Sequence, residues 1–210
     1  MTKPDFARPT SNPLIVLLVG SFAMGAAWRL TPEYGPWWCH GIAEPLSLFV
    51  ALKWGANRGF VRRIAGWGVG AIAFGVLLSL MSRYLTPLAV NFIPDLGQEL
   101  SQLYLTLDRP PGPAKAMPIL ALTVLNEELI WRGTLVDWCQ RRLSPLQTVM
   151  AATVAYVLPV TMSGSPLLVA VAIVLGSLLT VQRLICRTWA APFITHLTWA
   201  ILVYVIRPLG

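Results

Sequence analysis

The sequence predicts an all-α, polytopic transmembrane bundle of about seven membrane helices, formed by one domain over residues 1–210. Composition supports this prediction, because apolar residues make up 56% of the chain and charged residues only 12%, whereas about a quarter of a soluble domain is charged. The apolar residues also gather in runs near the roughly 20 residues that cross a bilayer as a helix. The candidate spans are 13–30, 39–54, 66–86, 116–137, 146–162, 166–182 and 190–206.

The net charge of +7 does not indicate a nucleic-acid partner, because the basic residues lie between the apolar runs instead of on one polar stretch. Cytoplasmic loops carry an excess of Lys and Arg, and the count favours a cytoplasmic N-terminus. The run after the polar residues 1–12 is interpreted as a first membrane helix, since no cleavage signal ends it. The cytoplasmic set is Lys3, Arg8, Lys53, Arg58, Arg62, Arg63, Arg141, Arg142, Arg183 and Arg187, and the opposite set is Arg29, Arg83, Arg109, Lys115 and Arg207.

One long loop, about 87–115, is predicted on the outer side. Leu96, Leu100, Leu103 and Leu107 recur near helical spacing within it, so residues 95–107 are expected to form an amphipathic helix at the interface. The prolines and glycine of residues 109–113 then interrupt any helix.

The fourth span contains three ionisable residues, Glu127, Glu128 and Arg132. Ionisable groups at membrane depth are costly and are functional candidates. Glu128 and Arg132 are four residues apart, so they share a helix face and are expected to pair. Glu127 points elsewhere and is expected to stay free, as a general base acting on water requires. Alternatively, the pair only packs helices and Glu127 caps a neighbouring group.

Other ionisable residues fall in or near the remaining spans. His196 lies near the start of the last span and is expected to meet the glutamates of the fourth. His40 and Glu44 have i, i+4 spacing in the second span, and we interpret them as a structural or interfacial pair. Asp137 is expected to be solvated at the inner end of the fourth span.

The stretch Asn126–Gly133 resembles the EExxxR motif of the CPBP intramembrane proteases. This family includes the CAAX prenyl endoproteases of eukaryotes and bacterial relatives involved in bacteriocin self-immunity and surface-protein processing. The region from Gly176 to His196, with Pro192 ahead of the histidine, is similar to the family's last motif. The resemblance covers about 115–206, the protease-like core, and the motif histidine follows Arg132 by about 65 residues.

The resemblance implies a membrane endopeptidase in which Glu127 activates water. Arg132 holds Glu128, and His196 helps to hold the water or to stabilise the oxyanion. Two positions depart from the family, because Val160 stands at the histidine of its FxxxH motif and Ala200 at the asparagine of its HxxxN motif.

These departures leave two functions open: an active glutamate-dependent endopeptidase, or an inactive scaffold or immunity protein that binds a peptide in the same cavity. A divergent enzyme with a simplified site is one way to retain activity. In another, His40 fills the gap, since it is the only other histidine in the chain. A transporter is disfavoured, because no inverted repeat is visible.

No cofactor and no metal are expected. Glu127, Glu128 and His196 are the residues considered for zinc, but Glu128 is expected to be occupied by Arg132, and two ligands make a poor site. The three cysteines are widely spaced and indicate neither a disulfide framework nor a zinc motif. The expected partners are a membrane-anchored substrate and the lipid bilayer, and the expected location is a bacterial plasma membrane.

Overall fold

The computed structural model describes residues 12–54, 64–93, 95–206 and 209. In this part of the chain all regular structure is helical, which confirms the predicted all-α fold. Six of the basic residues on which the predicted orientation depends lie outside the described residues: Lys3, Arg8, Arg58, Arg62, Arg63 and Arg207. The helices are α1 Pro13–Tyr34, α2 Pro36–Trp54, α3 Ile64–Phe92, α4 Asp95–Leu107, α5 Met117–Glu127, α6 Val136–Cys139, α7 Pro145–Val160, α8 Pro166–Cys186 and α9 Ala190–Ile201.

The protein is an integral membrane protein, and each predicted span corresponds to helix. Four segments are long and apolar enough to cross a bilayer: Pro13–Tyr34, Trp67–Phe92, Pro145–Ser163 and Pro166–Cys186. The last span is a shorter apolar helix, Ala190–Ile206. The number of seven crossings therefore stays a prediction.

Local sequence explains several helix ends. Proline at the first helical position lacks the amide that the first turn leaves unpaired, and it begins α1, α7 and α8. Ser144 and Gln147 form a reciprocal capping box at the start of α7. Gly164, with φ of 71°, closes the turn between α7 and α8.

The predicted boundary at residue 86 is wrong, because α3 continues through Pro87 to Phe92. Hydroxyl groups line its last turns, and Thr86 Oγ1 donates to the carbonyl of Ser82 at 2.6 Å. The helix predicted over 95–107 is confirmed as α4. Its buried leucines, Leu100 and Leu107, pack on the protein, and its position at the membrane interface stays a prediction.

The helix that carries the glutamates lies at the centre of the bundle. Between α5 and α6 the chain forms a π-helix, Glu128–Leu135, in which all eight residues are buried. Helices α1, α2, α7, α8 and α9 all contact this π-helix. The approach of α1 depends on Gly20, where a Cβ atom would stand 2.6 Å from Ile130 Cδ1.

Candidate active site

Glu127 and Glu128 lie where α5 becomes the π-helix, and they are 6% and 0% exposed. A π-helix pairs backbone groups five residues apart and occurs frequently at functional sites. The side chain of Thr134 follows the same spacing, since its hydroxyl donates to the carbonyl of Leu129 at 3.1 Å.

Glu128 is held by two nitrogen groups. Its Oε1 accepts from Arg132 Nη1 at 3.0 Å and contacts His196 Nδ1 at 2.9 Å. The predicted Glu128–Arg132 pair is therefore confirmed, and α9 brings His196 to the cluster as expected. Of the two glutamates, the one that His196 contacts is Glu128. Arg132 also lies over the ring of Tyr156, 4.5 Å from the centroid.

Glu127 has a different partner. The hydroxyl of Tyr156 on α7 donates to Glu127 Oε2 at 2.8 Å, so the expectation of a free carboxylate is wrong. Sequence reasoning missed this role of Tyr156. A signal was present, because Tyr156 occupies the aromatic position of the FxxxH-like stretch, one helical turn before Val160.

A cavity of about 100 Å³ adjoins Glu127. Since one water needs a cavity of roughly 10–15 Å³, this space has room for several. Its walls are mostly apolar. Among the described residues, the ionisable side chains that line it, apart from tyrosines, are His40, Glu127 and His196. Glu128 does not line the cavity, so the two glutamates occupy distinct positions.

Val160 and Ala200 also line this cavity and are 3% and 1% exposed. The two motif positions that depart from the family therefore face the same space as Glu127 and His196. The valine and the alanine place apolar surface where an imidazole and an amide are expected.

His40 and Glu44 are buried in the bundle, 6% and 1% exposed, so the interfacial alternative is wrong. His40 Nδ1 lies 3.2 Å from Glu44 Oε1. The amide of Asn126 donates both to Glu44 Oε2 and to Ser47 Oγ, the latter at 2.6 Å. His40 thus reaches the same cavity as Glu127 from a second polar network.

Asp137 is not simply solvated, as the sequence suggested. It is half-buried and forms an ion pair with Arg183 of α8. Arg183 Nε also donates to the backbone carbonyl of Arg132 at 3.0 Å. This bond joins the π-helix to α8 at a backbone carbonyl.

The described residues contain no group of three or more His, Cys, Asp or Glu side chains placed to hold a metal ion. Glu128 is occupied by Arg132 and His196.

Residues 111–202 match the family model described as Type II CAAX prenyl endopeptidase Rce1-like. This segment includes the EExxxR residues and His196, so the match confirms the resemblance to the CAAX-protease family that the motifs indicate. Comparisons with curated proteins and with solved structures found no match.

Proposed function

We propose that this membrane protein, whose residues 111–202 match the CAAX-endopeptidase family, is an intramembrane endopeptidase. It uses Glu127 to activate water and cleaves membrane-anchored peptide or protein substrates. The segment before residue 111 supplies further walls of the same cavity through α1, α2 and α4.

The observation that carries this proposal is the placement of Glu127. It is a buried carboxylate beside a space that has room for water, whereas Glu128 does not line this space and forms an ion pair with Arg132. A buried acid of this kind is costly in a membrane protein. A helix-packing role accounts for Glu128 and Arg132 but gives no reason for a carboxylate at the cavity wall.

The chemistry follows from these positions. Glu127 accepts one proton from water, and the resulting hydroxide adds to the carbonyl carbon of the scissile peptide. When the C–N bond breaks, the protonated Glu127 returns that proton to the leaving amine, so the carboxylate is regenerated. His196 lines the cavity while its Nδ1 is bonded to Glu128. In the neutral ring Nε2 therefore accepts a hydrogen bond from the water, and it donates to the oxyanion only when the ring is protonated on both nitrogens.

A second candidate function is an inactive scaffold or immunity protein that binds a peptide in this cavity. Val160 and Ala200 favour it, because both line the cavity where the family's donors are expected. The loss of one preorganised oxyanion donor costs about 2.7–4 kcal/mol of transition-state stabilisation. Against this candidate, the buried Glu127, Glu128, Arg132 and His196 all remain.

The location proposed for this activity is a bacterial plasma membrane with a cytoplasmic N-terminus. The support is the excess of basic residues in the segments assigned to the cytoplasm. A substrate that reaches this mostly apolar cavity from the membrane needs an apolar segment near its cleavage site.

The test is cleavage of a library of membrane-anchored peptides by the protein reconstituted in lipid vesicles. Glu127→Gln keeps the shape of the side chain and removes the base, so we expect cleavage to fall at least about 100-fold. Glu33→Gln is the matched control, because Glu33 is an exposed glutamate at the end of α1.

Two results decide between the candidates. Cleavage that persists in Glu127→Gln removes this residue as the base. If the wild-type protein binds peptides of the library but cleaves none, the scaffold replaces the enzyme.

A further inference from the structure

The network on α2 has no counterpart among the motifs that relate the chain to its family. It consists of His40, Glu44 and Ser47, joined to Asn126 of α5. Glu44 and Ser47 are each 1% exposed. Burial of a second carboxylate–imidazole pair in a membrane bundle is costly. Ionisable groups at membrane depth are functional candidates for this reason.

The contact with Glu44 determines which nitrogen of His40 can act. A carboxylate accepts a hydrogen bond, so Nδ1, at 3.2 Å from Glu44 Oε1, carries the proton. In the neutral ring Nε2 is then an acceptor. Within the described part of the chain, this buried Nε2 has no hydrogen-bond partner. Trp28 packs edge-on against the ring at a centroid distance of 4.8 Å and limits its rotation.

The same network is tied to the position of Glu127. Asn126 directly precedes Glu127, and its amide donates to the carboxylate of Glu44. The orientation of His40 and the position of Glu127 are therefore fixed through one side chain. Both residues line the same cavity.

We propose that His40 is a catalytic residue of the proposed endopeptidase and that Glu44 is its positioning residue. The attacking water gives one proton to Glu127 and donates its second O–H to Nε2 of His40 as a hydrogen bond, which leaves His196, protonated on both nitrogens, to stabilise the oxyanion. No proton moves to His40, so the step balances as before: the proton on Glu127 passes to the leaving amine. This imidazole, from α2, supplies to the shared cavity the acceptor that Val160 on α7 lacks.

The inference depends on the proposed function and is tested with a substrate that the wild-type protein cleaves. His40→Ala removes the acceptor, and Glu44→Gln allows the amide to donate to Nδ1, which moves the ring proton to Nε2. For both variants we expect kcat to fall about 100-fold and KM to stay within about threefold. Because the two residues act as a unit, the double variant should lose no more than His40→Ala alone. Ile42→Ala, at an exposed position on the same helix, is the control.

The protonation of the ring is measured separately by nitrogen-15 NMR, which is simplified because the chain has 2 histidines. We expect an unprotonated Nε2 on His40 in the wild type and a protonated one in Glu44→Gln. This nearly isosteric variant also serves if His40→Ala does not fold.

The outcomes separate the two proposals. If Glu127→Gln is inactive while His40→Ala and Glu44→Gln cleave at the wild-type rate, the role of His40 is overturned and the endopeptidase stands. A protonated Nε2 in the wild type, or losses that multiply in the double variant, also overturns it. If the wild type cleaves no substrate, both proposals fall.

Discussion

Replacing Arg132 by methionine is expected to destabilise the protein strongly. Arg132 is 1% exposed and donates to Glu128, which is 0% exposed. Methionine fills much of the same volume, but it leaves the carboxylate of Glu128 buried with His196 as its remaining hydrogen-bond partner.

The magnitude follows from these contacts. Removal of one partner of a buried ion pair costs about 3–5 kcal/mol. The contact between Arg132 and the ring of Tyr156, at 4.5 Å, contributes about 0.5–2 kcal/mol. Because His196 still pairs with Glu128, we expect the lower end of the summed range, a loss of about 3.5–4.5 kcal/mol.

The assay is reversible unfolding in mixed detergent micelles, followed by tryptophan fluorescence and circular dichroism. Arg142→Met is the matched control, because Arg142 also lies over an aromatic ring, 4.9 Å from the centroid of Trp138, but is exposed. We expect its free energy of unfolding to change by no more than about 0.5 kcal/mol.

A double variant isolates the pair. Adding Glu128→Gln to Arg132→Met removes the unpaired charge, so the double variant should be more stable than the sum of the single effects by at least about 2 kcal/mol. The reasoning is refuted if Arg132→Met costs less than about 1 kcal/mol, or if the two single effects simply add.

Three further predictions follow from individual contacts. Gly75→Ala places a Cβ atom 2.6 Å from a backbone oxygen of α9, so the free energy of unfolding should fall by about 1–3 kcal/mol. The control is Gly70→Ala on the same helix, where a Cβ atom has no atom within 4 Å and should not destabilise the protein. Equal shifts of the melting temperature in both variants would contradict this prediction. Tyr156→Phe removes the hydroxyl at 2.8 Å from the cavity glutamate and should lower the cleavage rate about 10-fold, and a rate equal to the wild type would show that this bond is irrelevant to the reaction. Glu99→Ala removes the carboxylate that accepts from Ser165 Oγ and Leu167 N at the start of α8, so the free energy of unfolding should fall by about 1–2 kcal/mol. Gln98→Ala, at the exposed neighbouring position, is the control. A loss of the same size in both variants would refute the capping role.

The features that the sequence predicts correctly depend on neighbours along the chain. Apolar runs locate the helices, because their length is set by the membrane. The bond between Glu128 and Arg132 requires only i, i+4 spacing on one helix. The separate surroundings of Glu127 and Glu128 follow from the angle between successive helical residues.

The contacts that define the candidate site depend on helix packing, and for this reason the sequence revealed them only in part: it predicted that His196 meets the glutamates, but not which of them, and it missed Tyr156. Tyr156 and Glu127 are 29 residues apart, and His196 and Glu128 are 68 residues apart. Which of two adjacent carboxylates meets which partner is decided by the rotation of α7 and α9 about their axes. Hydropathy does not encode this rotation, since both glutamates belong to the same apolar span.

The sequence by itself therefore determined that this is a helical membrane protein with an acidic motif at membrane depth. The tertiary structure decided which acid faces the cavity, because that depends on how the neighbouring helices pack around the π-helix. It also brought His40 of α2 to the same cavity as Glu127. The physical reason is that hydrophobicity acts residue by residue along the chain, whereas hydrogen-bond partners are fixed only when helices distant in sequence pack together.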